Sequence, residues 1–522
     1  MNTFEFVNIS AQIFPDREAL VCEDQRYNYE TLQQSIVSLA CGLKRLGIER
    51  GHRLAVLDTN SDRYIQLFYA TGLLGATFVP LNYRAKQDEL GYLLNSAEVT
   101  TLCVGAQYHD LALAVRPSVS SLQEMISCAA PREGMRSFED LLIQEELEPV
   151  EVDDDDLCVI MFTAGTTSRP KGVMLRYGDL TNLVLNSAEP ASEDDHYGQV
   201  LVAPFYHIAG LTAIMLAPYS ARKMVVLRQF DPLRWLETVQ RERITNAFLV
   251  PTMLKRVVDE PCFGDYDLSS LEVLSYGAAA MPPGVLLRAI DLLPKTVGFV
   301  NAYGQTETTS TVATLGPEDH RLEGTPEEIE RKKARLRSIG KPVGDVELRI
   351  VDSEHRPLPP GEIGEVALRT TRTMKGYLPQ DGKPVDTSKR DDEGWLYTSD
   401  LGWIDEEGYV FLAGRKSDMI IRGGENISPE EVEAVLYRHP AVEDVAVIGA
   451  PDEEWGEQVV AVVVARKEAR GQLSAEELIA FCRERLASYK KPSIVEFVAE
   501  LPRSPLGKVL KVALREQRKS LV

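Results

Sequence analysis

Cysteine is scarce in this chain: seven residues among 522, at Cys22, Cys41, Cys103, Cys128, Cys158, Cys262 and Cys482, with no C-x-x-C pair. An odd, scattered set excludes a disulfide framework and a paired-cysteine zinc site, and fits reduced, buried thiols. Basic charge is in deficit too, with 57 Lys and Arg against 79 Asp and Glu and a formal net charge of -22. Binders of nucleic acid or anionic membrane need a basic face, so neither partner is expected. Small anionic ligands stay open, because a few local cations and backbone N–H groups can outweigh a distant acidic surface. The start, Met1-Asn2-Thr3-Phe4-Glu5, has no basic region followed by an apolar core. No signal peptide is expected, and the expected location is cytoplasmic. One uncharged stretch, 200–219, is long enough to cross a bilayer, but Pro204, His207, Gly210 and Pro218 interrupt it. The expectation is a strand at 200–203, a loop and a short buried helix at 211–216, with no transmembrane segment.

What is present is an ordinary globular composition, 44% hydrophobic, long enough for roughly two to four folding units. Residues 29–46 place Leu32, Ile36, Leu39, Leu43 and Leu46 at helical spacing. A strand at 54–57, a helix at 64–74 and a strand at 77–80 follow. The alternation continues through 199–204, 224–227, 233–241 and 273–275. It predicts an α/β fold with mostly parallel sheets. After about 330 the pattern turns to short strands, at 347–351, 364–368, 395–397 and 409–413. A polar joint, Gly414-Arg415-Lys416-Ser417-Asp418, then leads into a helix at 432–437, strands at 442–448 and 458–465, and a helix at 474–490. Ser474 and Glu477 read as a capping box for the last helix. The expected organisation is a large domain at 1–414, with a small β-rich subdomain from about 335, a hinge at 415–417, and a small mobile α+β domain at 418–522. The acidic run 153–156 reads as a solvated loop.

The first chemical signal follows the apolar run 157–162. Thr163-Ala164-Gly165-Thr166-Thr167-Ser168-Arg169-Pro170-Lys171-Gly172 offers backbone N–H groups, hydroxyls and an ammonium, which suit a polyphosphate. It is not a Walker A loop, because Pro170 precedes the lysine and no Ser or Thr follows it. Ser168 and Lys171 match the spacing of serine acylases, but no S-D-N or K-T-G partner accompanies them.

This loop resembles the phosphate signature of the acyl-adenylate-forming superfamily, which contains acyl-CoA synthetases, peptide-synthetase adenylation domains and beetle luciferases. Ala164 stands where Ser is usual and Ser168 where Gly is usual. The resemblance runs over nearly the whole chain, with the motifs in the family's order. Gly277-Ala278-Ala279 is similar to the small-residue stretch beside adenine and the acyl group. Tyr303-Gly304-Gln305-Thr306-Glu307 resembles Y-G-x-T-E, which implies Tyr303 on adenine, Thr306 on the α-phosphate and Glu307 on Mg²⁺. Tyr397-Thr398-Ser399-Asp400 resembles Y-T-G-D with Ser for Gly, which implies Asp400 on the ribose, with Arg415 beside it. The joint resembles the family hinge, with Ser417 at the pivot, and Gly423 and Gly424 mark the passage of the CoA pantetheine arm. Lys508, in Pro502-Arg503-Ser504-Pro505-Leu506-Gly507-Lys508, resembles the catalytic lysine that neutralises charge during adenylation.

Ala203-Pro204-Phe205-Tyr206-His207-Ile208-Ala209-Gly210 is similar to the P-x-x-H-x-x-G of acyl-CoA synthetases. A histidine there, without the aspartate that meets an α-ammonium, implies an acid lacking an α-amino group. Lys508, His207 and Thr306 are the expected catalytic residues, and His207, Gly277, Ala278 and Gly304 the expected acyl pocket. Gly304 holds the place of a pocket-closing tryptophan in acetate-specific relatives, which implies a larger acid: a medium- or long-chain fatty acid or an aryl acid. The implied activity is an acyl-CoA synthetase of fatty acid metabolism, with ATP and CoA as co-substrates and Mg²⁺ as cofactor. A ligase that loads a carrier protein or another acceptor is the alternative; a luciferase-like oxygenase or a silent binding protein would leave Glu307, Asp400 and Lys508 without a shared purpose. Expected partners are these small molecules only, and a homodimer is left open.

Overall fold

The computed structural model describes residues 1–163, 169–193, 198–379, 384–423, 425–452, 454–504 and 507–519, with only the backbone of Asn426 and Lys519. Two large sheets dominate. Among the described residues the first has nine strands. Its parallel centre runs Val273–Gly277, Asn246–Leu249, Gly198–Leu201, Lys223–Val226, Glu18–Cys22. The second has eight, with a parallel centre of Leu157–Thr163, Thr77–Pro80, Arg53–Leu57, Thr101–Val104, Glu124–Ser127. Such strands are covered on both faces, so they read as unbroken apolar runs, and Leu54 to Leu57 are indeed fully buried. The helix Tyr29–Arg45 is capped by Asn28, whose side chain accepts the Thr31 N–H at 2.8 Å, and it buries Leu32, Ile36, Leu39 and Leu43.

A four-stranded antiparallel sheet follows, Glu347–Val351, Gly364–Arg369, Leu396–Ile404 and Val410–Arg415. The chain ends in a five-stranded sheet with helices Pro429–Leu436, Ala475–Arg483 and Lys511–Lys519. The whole is the expected mixed α/β fold: a large N-terminal part and a small C-terminal α+β part.

Five local expectations are corrected. The buried helix is Ile208–Tyr219, longer at both ends than the 211–216 read from Gly210 and Pro218. Proline in the last turn leaves the Ile214 carbonyl without its usual partner, and the Tyr69 hydroxyl donates to it at 2.5 Å instead. The strand before it ends at Leu201, short of Pro204. The 395–397 strand continues as Leu396–Ile404, because register shifts against both neighbouring strands absorb Ser399 and Gly402. The helix after Ser474 stops at Arg483, where the Arg485 guanidinium takes the Phe481 carbonyl and the Arg485 N–H turns back to Cys482. Ser474 caps it, but Glu477 does not close the box, since its carboxylate lies 3.3 Å from His439 Nε2. All seven cysteines are unbridged and six are buried. No described helix is long and apolar enough to cross a membrane.

Candidate active site

The loop expected to bind phosphate joins two antiparallel strands, with Thr163 opposite Lys171 in register. Ala164, Gly165, Thr166 and Thr167 lie outside the described residues. The Lys171 ammonium sits 3.6 Å from Asp386 Oδ2 and 4.7 Å from the centre of the Tyr377 ring. Hydrogen bonds from Ser388, aided by the Lys171 charge, hold the Asp386 carboxyl below the usual range. Tyr377 in turn donates its hydroxyl to Glu307 Oε1 at 2.7 Å. Lys171, Tyr377 and Glu307 thus form one chain of contacts, with Lys389 Nζ 3.9 Å from the same Glu307 oxygen.

Among the described residues no cluster of three or more metal-binding side chains occurs. Mg²⁺ is usually held by one or two carboxylates plus phosphate oxygens. Glu307 fits that pattern, because Oε1 is engaged by Tyr377 while Oε2 makes no hydrogen bond among the described residues.

The ends of Val273–Gly277 and Gly298–Gln305 lie side by side, with Gly277 opposite Ala302. A Cβ at Gly277 would stand 2.1 Å from the Ala302 carbonyl oxygen, so only glycine fits. Ala278 follows at φ +64°, a strained left-handed conformation, and Ala279 is half-buried next to it. Gly304 has a different reason to be glycine from the one expected. A Cβ there would stand 1.8 Å from the Ser310 carbonyl oxygen. The space beside it is filled by the neighbouring strand Ser310–Leu315, so the missing side chain does not by itself open a pocket floor. Thr306 begins the short 3₁₀ turn Thr306–Thr308.

Asp400 is the hub. It accepts from the Tyr303 hydroxyl at 2.6 Å and from Gln305 Nε2 at 2.7 Å, and pairs with Arg415 Nε at 2.9 Å. Burial and the Asp400 charge push the Tyr303 hydroxyl well above the usual range. Ser399, the residue before the hub, sits at φ +65°, where glycine is at ease and serine is strained, and Glu365 Oε1 catches its N–H at 2.9 Å. The same carboxylate pairs with Lys416 of the joint at 3.0 Å.

Lys508 lies in the C-terminal part, within reach of the Arg415 and Asp400 charges of this hub. Ser504 N–H donates to the Lys508 carbonyl at 2.7 Å, and the Ser504 hydroxyl accepts the Lys508 N–H at 3.1 Å. Gly507, at φ +75°, packs so closely on Thr252 that a Cβ would lie 2.4 Å from its hydroxyl. The lysine loop is therefore docked on the helix Pro251–Val258 of the large domain. Lys508 keeps an exposed surface, yet the protein around it and the Arg415 charge lower its ammonium below the usual lysine range, while Asp400 and Asp418 pull the other way.

His207 precedes the helix Ile208–Tyr219. Gly210 lets the chain fold over this start, since a Cβ would be 2.3 Å from the Pro204 carbonyl. Burial, with the Arg84 charge second, lowers the His207 pKa to about 3, and its Nε2 is buried without a partner. Among the described residues no hydrogen bond joins His207 to the Asp400 hub. Gly423 belongs to the C-terminal part, donating its N–H to the Trp455 carbonyl at 2.8 Å; Gly424 lies outside the described residues.

Sequence reasoning missed Gln305, Tyr377, Lys389 and Trp455. Gln305 was visible as the variable position inside the Y-G-x-T-E pattern, whereas Tyr377, in the two-residue strand Gly376–Tyr377, carried no signal. Trp455 carried one signal: it is one of four tryptophans, and it is 46% exposed beside Gly423, with the Arg422 guanidinium 5.6 Å from its ring.

Two family models match the chain, AMP-binding enzyme over residues 7–378 and AMP-binding enzyme C-terminal domain over 431–508. The chain is 34% identical to a feruloyl-CoA synthase of an Amycolatopsis species, covering 97% of each. It is 32% identical to the fatty acid–[acyl-carrier-protein] ligase ScoC of Streptomyces coeruleorubidus, covering 97% of this chain and 94% of that one. It superposes on the anthranilate CoA ligase AuaEII in complex with anthranoyl-AMP with a TM-score of 0.87, at 25% identity, over 100% of this chain and 98% of that one.

Proposed function

We propose that this chain, which belongs to the AMP-binding enzyme family and is an AMP-forming acid–thiol ligase, makes the CoA thioester of an aryl or medium-to-long-chain fatty acid. One observation carries the adenylation step: the C-terminal lysine loop is seated on Thr252 so that Lys508 shares its electrostatic surroundings with Asp400 and Arg415.

In the first step a carboxylate oxygen attacks the α-phosphorus of ATP, the bond to the β-phosphate oxygen breaks, and pyrophosphate leaves. The residues here divide the work. Asp400 and Arg415 hold the ribose, Tyr303 lies against adenine, and Thr163, Thr306 and Lys171 bind phosphate oxygens. Glu307 would hold Mg²⁺, which supplies screening of the phosphate charge. Lys508 places a positive charge between carboxylate and α-phosphate, where negative charge gathers in the transition state. In the second step a thiolate attacks the acyl carbonyl, the carbon–oxygen bond to AMP breaks, and AMP leaves. The two steps need different groups at one carbon, so the small domain turns about 415–417 and withdraws Lys508.

Two features support an apolar acid. The helix Ile208–Tyr219 carries no charged residue, and His207 stays neutral, so neither brings a charge that would hold an ammonium or a second carboxylate. The relatives named for feruloyl, fatty acyl and anthranoyl groups point the same way. For the acceptor, exposed Trp455 with Arg422 over it and Tyr489 nearby offers stacking and cationic contacts suited to the nucleotide end of CoA. The likeness to ScoC keeps carrier-protein loading as the second reading.

Pyrophosphate release across acids from acetate to palmitate, with aryl acids included, tests the acid class. AMP release with and without CoA tests the acceptor. Preference for acetate, or AMP release that CoA does not accelerate, would overturn the corresponding half of the proposal.

A further inference from the structure

The segment after Glu307 is held in an unusual conformation. Thr309 and Ser310 are consecutive non-glycine residues at φ +53° and +98°, a pairing that persists only where surroundings enforce it. The enforcing group is Arg372, whose side chain is fully buried. Its Nη1 donates to the Thr308 carbonyl at 3.1 Å and its Nη2 to the Thr311 carbonyl at 2.7 Å, straddling the strained pair. The Thr309 hydroxyl returns a bond to the Arg372 carbonyl at 2.8 Å. Asp345 balances the charge, at 2.6 Å from Nε and 3.1 Å from Nη2. Two residues on, the Met374 N–H donates to the Glu307 carbonyl at 2.9 Å, and the same segment supplies the Tyr377 hydroxyl to the Glu307 carboxylate.

We propose that Arg372 is a positioning residue for adenylation: it locks the Thr308–Thr311 turn and through it sets the Glu307 carboxylate toward the metal–phosphate group. This rests on the proposed function above. The requirement is for a planar fork. A guanidinium reaches two carbonyls and a carboxylate at once, whereas an ammonium is a point charge on a flexible stem and keeps the ion pair without spanning the turn. A turn released by Arg372 would still fold as backbone, but the Glu307 carboxylate would lose its fixed direction. That direction matters only while ATP and its metal are bound, so the second half-reaction is indifferent to it.

The test uses the full chain with Arg372→Lys, which keeps the charge, and the double variant Asp345→Leu/Arg372→Met, which removes both buried charges together and avoids a lone buried ion. Three quantities are read: pyrophosphate release against Mg²⁺ concentration, ATP affinity against Mg²⁺ concentration by calorimetry, and AMP release from supplied acyl-AMP with CoA. Both variants are expected to slow pyrophosphate release about 10- to 100-fold, the range for small misplacements of reacting groups. Both should bind ATP only at raised Mg²⁺, with AMP release from acyl-AMP unchanged. A double variant with wild-type pyrophosphate release and wild-type Mg²⁺-dependent ATP affinity would overturn the proposal, leaving Arg372 as charge balance for Asp345. An equal fall in both half-reactions would overturn it as well, as the mark of general packing. A wild-type protein that binds ATP but releases no pyrophosphate with any acid would sink the proposed function, and the ATP affinities of the variants would still decide the role of Arg372.

Discussion

Lowering the pH from 7 to 5 isolates the state of His207. Burial, with Arg84 second, takes its pKa from the ordinary 6.5 to about 3, so the folded protein keeps the imidazole neutral where the unfolded chain takes up a proton. The unfolded state then binds more protons, and stability falls as pH falls through the window from 6.5 toward 3. Each tenfold difference in proton affinity is about 1.4 kcal/mol, so the full gap amounts to about 4–5 kcal/mol, and the part expressed at pH 5 is about 2 kcal/mol. Urea denaturation of wild type and His207→Asn at pH 7 and pH 5 measures it, because every other titrating group cancels in the difference. The variant is expected to lose about 2 kcal/mol less than wild type between the two pH values. Equal losses, or an imidazole proton resonance that titrates near 6.5, would refute the assignment of a neutral His207.

Lys508→Ala should abolish pyrophosphate release yet spare AMP release from supplied acyl-AMP, since only adenylation needs its charge; equal loss in both assays would assign Lys508 a structural role. Because its ammonium is lowered below the usual lysine range, wild-type adenylation should decline with rising pH before an ordinary lysine loses its proton, and a rate that stays flat up to that point contradicts the electrostatics at the hub. Gly304→Ala should destabilise the protein by about 1–3 kcal/mol, because its Cβ would meet the Ser310 carbonyl; an unchanged melting temperature with a shift toward shorter acids would restore the open-floor reading. Ser399→Gly should raise stability by about 0.5–1 kcal/mol by relieving the strain at φ +65°, and a lower melting temperature would show that the serine side chain contributes more than the strain removes.

Residue pattern alone was enough for the α/β alternation, the helix Tyr29–Arg45 and the strand Thr77–Pro80, because helical spacing and buried-strand runs are local properties of the chain. The motif residues were legible one by one through the resemblance: Gly277 and Asp400 stand in short stretches that match the family's motifs in the family's order. Their meeting was not legible. Asp400 draws Tyr303 and Gln305 from 97 and 95 residues away, and Arg372 reaches the Thr308 and Thr311 carbonyls across more than 60. Contacts of that range depend on which sheet edges adjoin, and no window of sequence carries that information. The glycines divide along the same line. Gly507 advertises a turn in sequence, but that Thr252 closes on it, and that Ser310 fills the space beside Gly304, follows from how neighbouring strands and helices pack, because a missing side chain takes its meaning from whatever atom stands where Cβ would be.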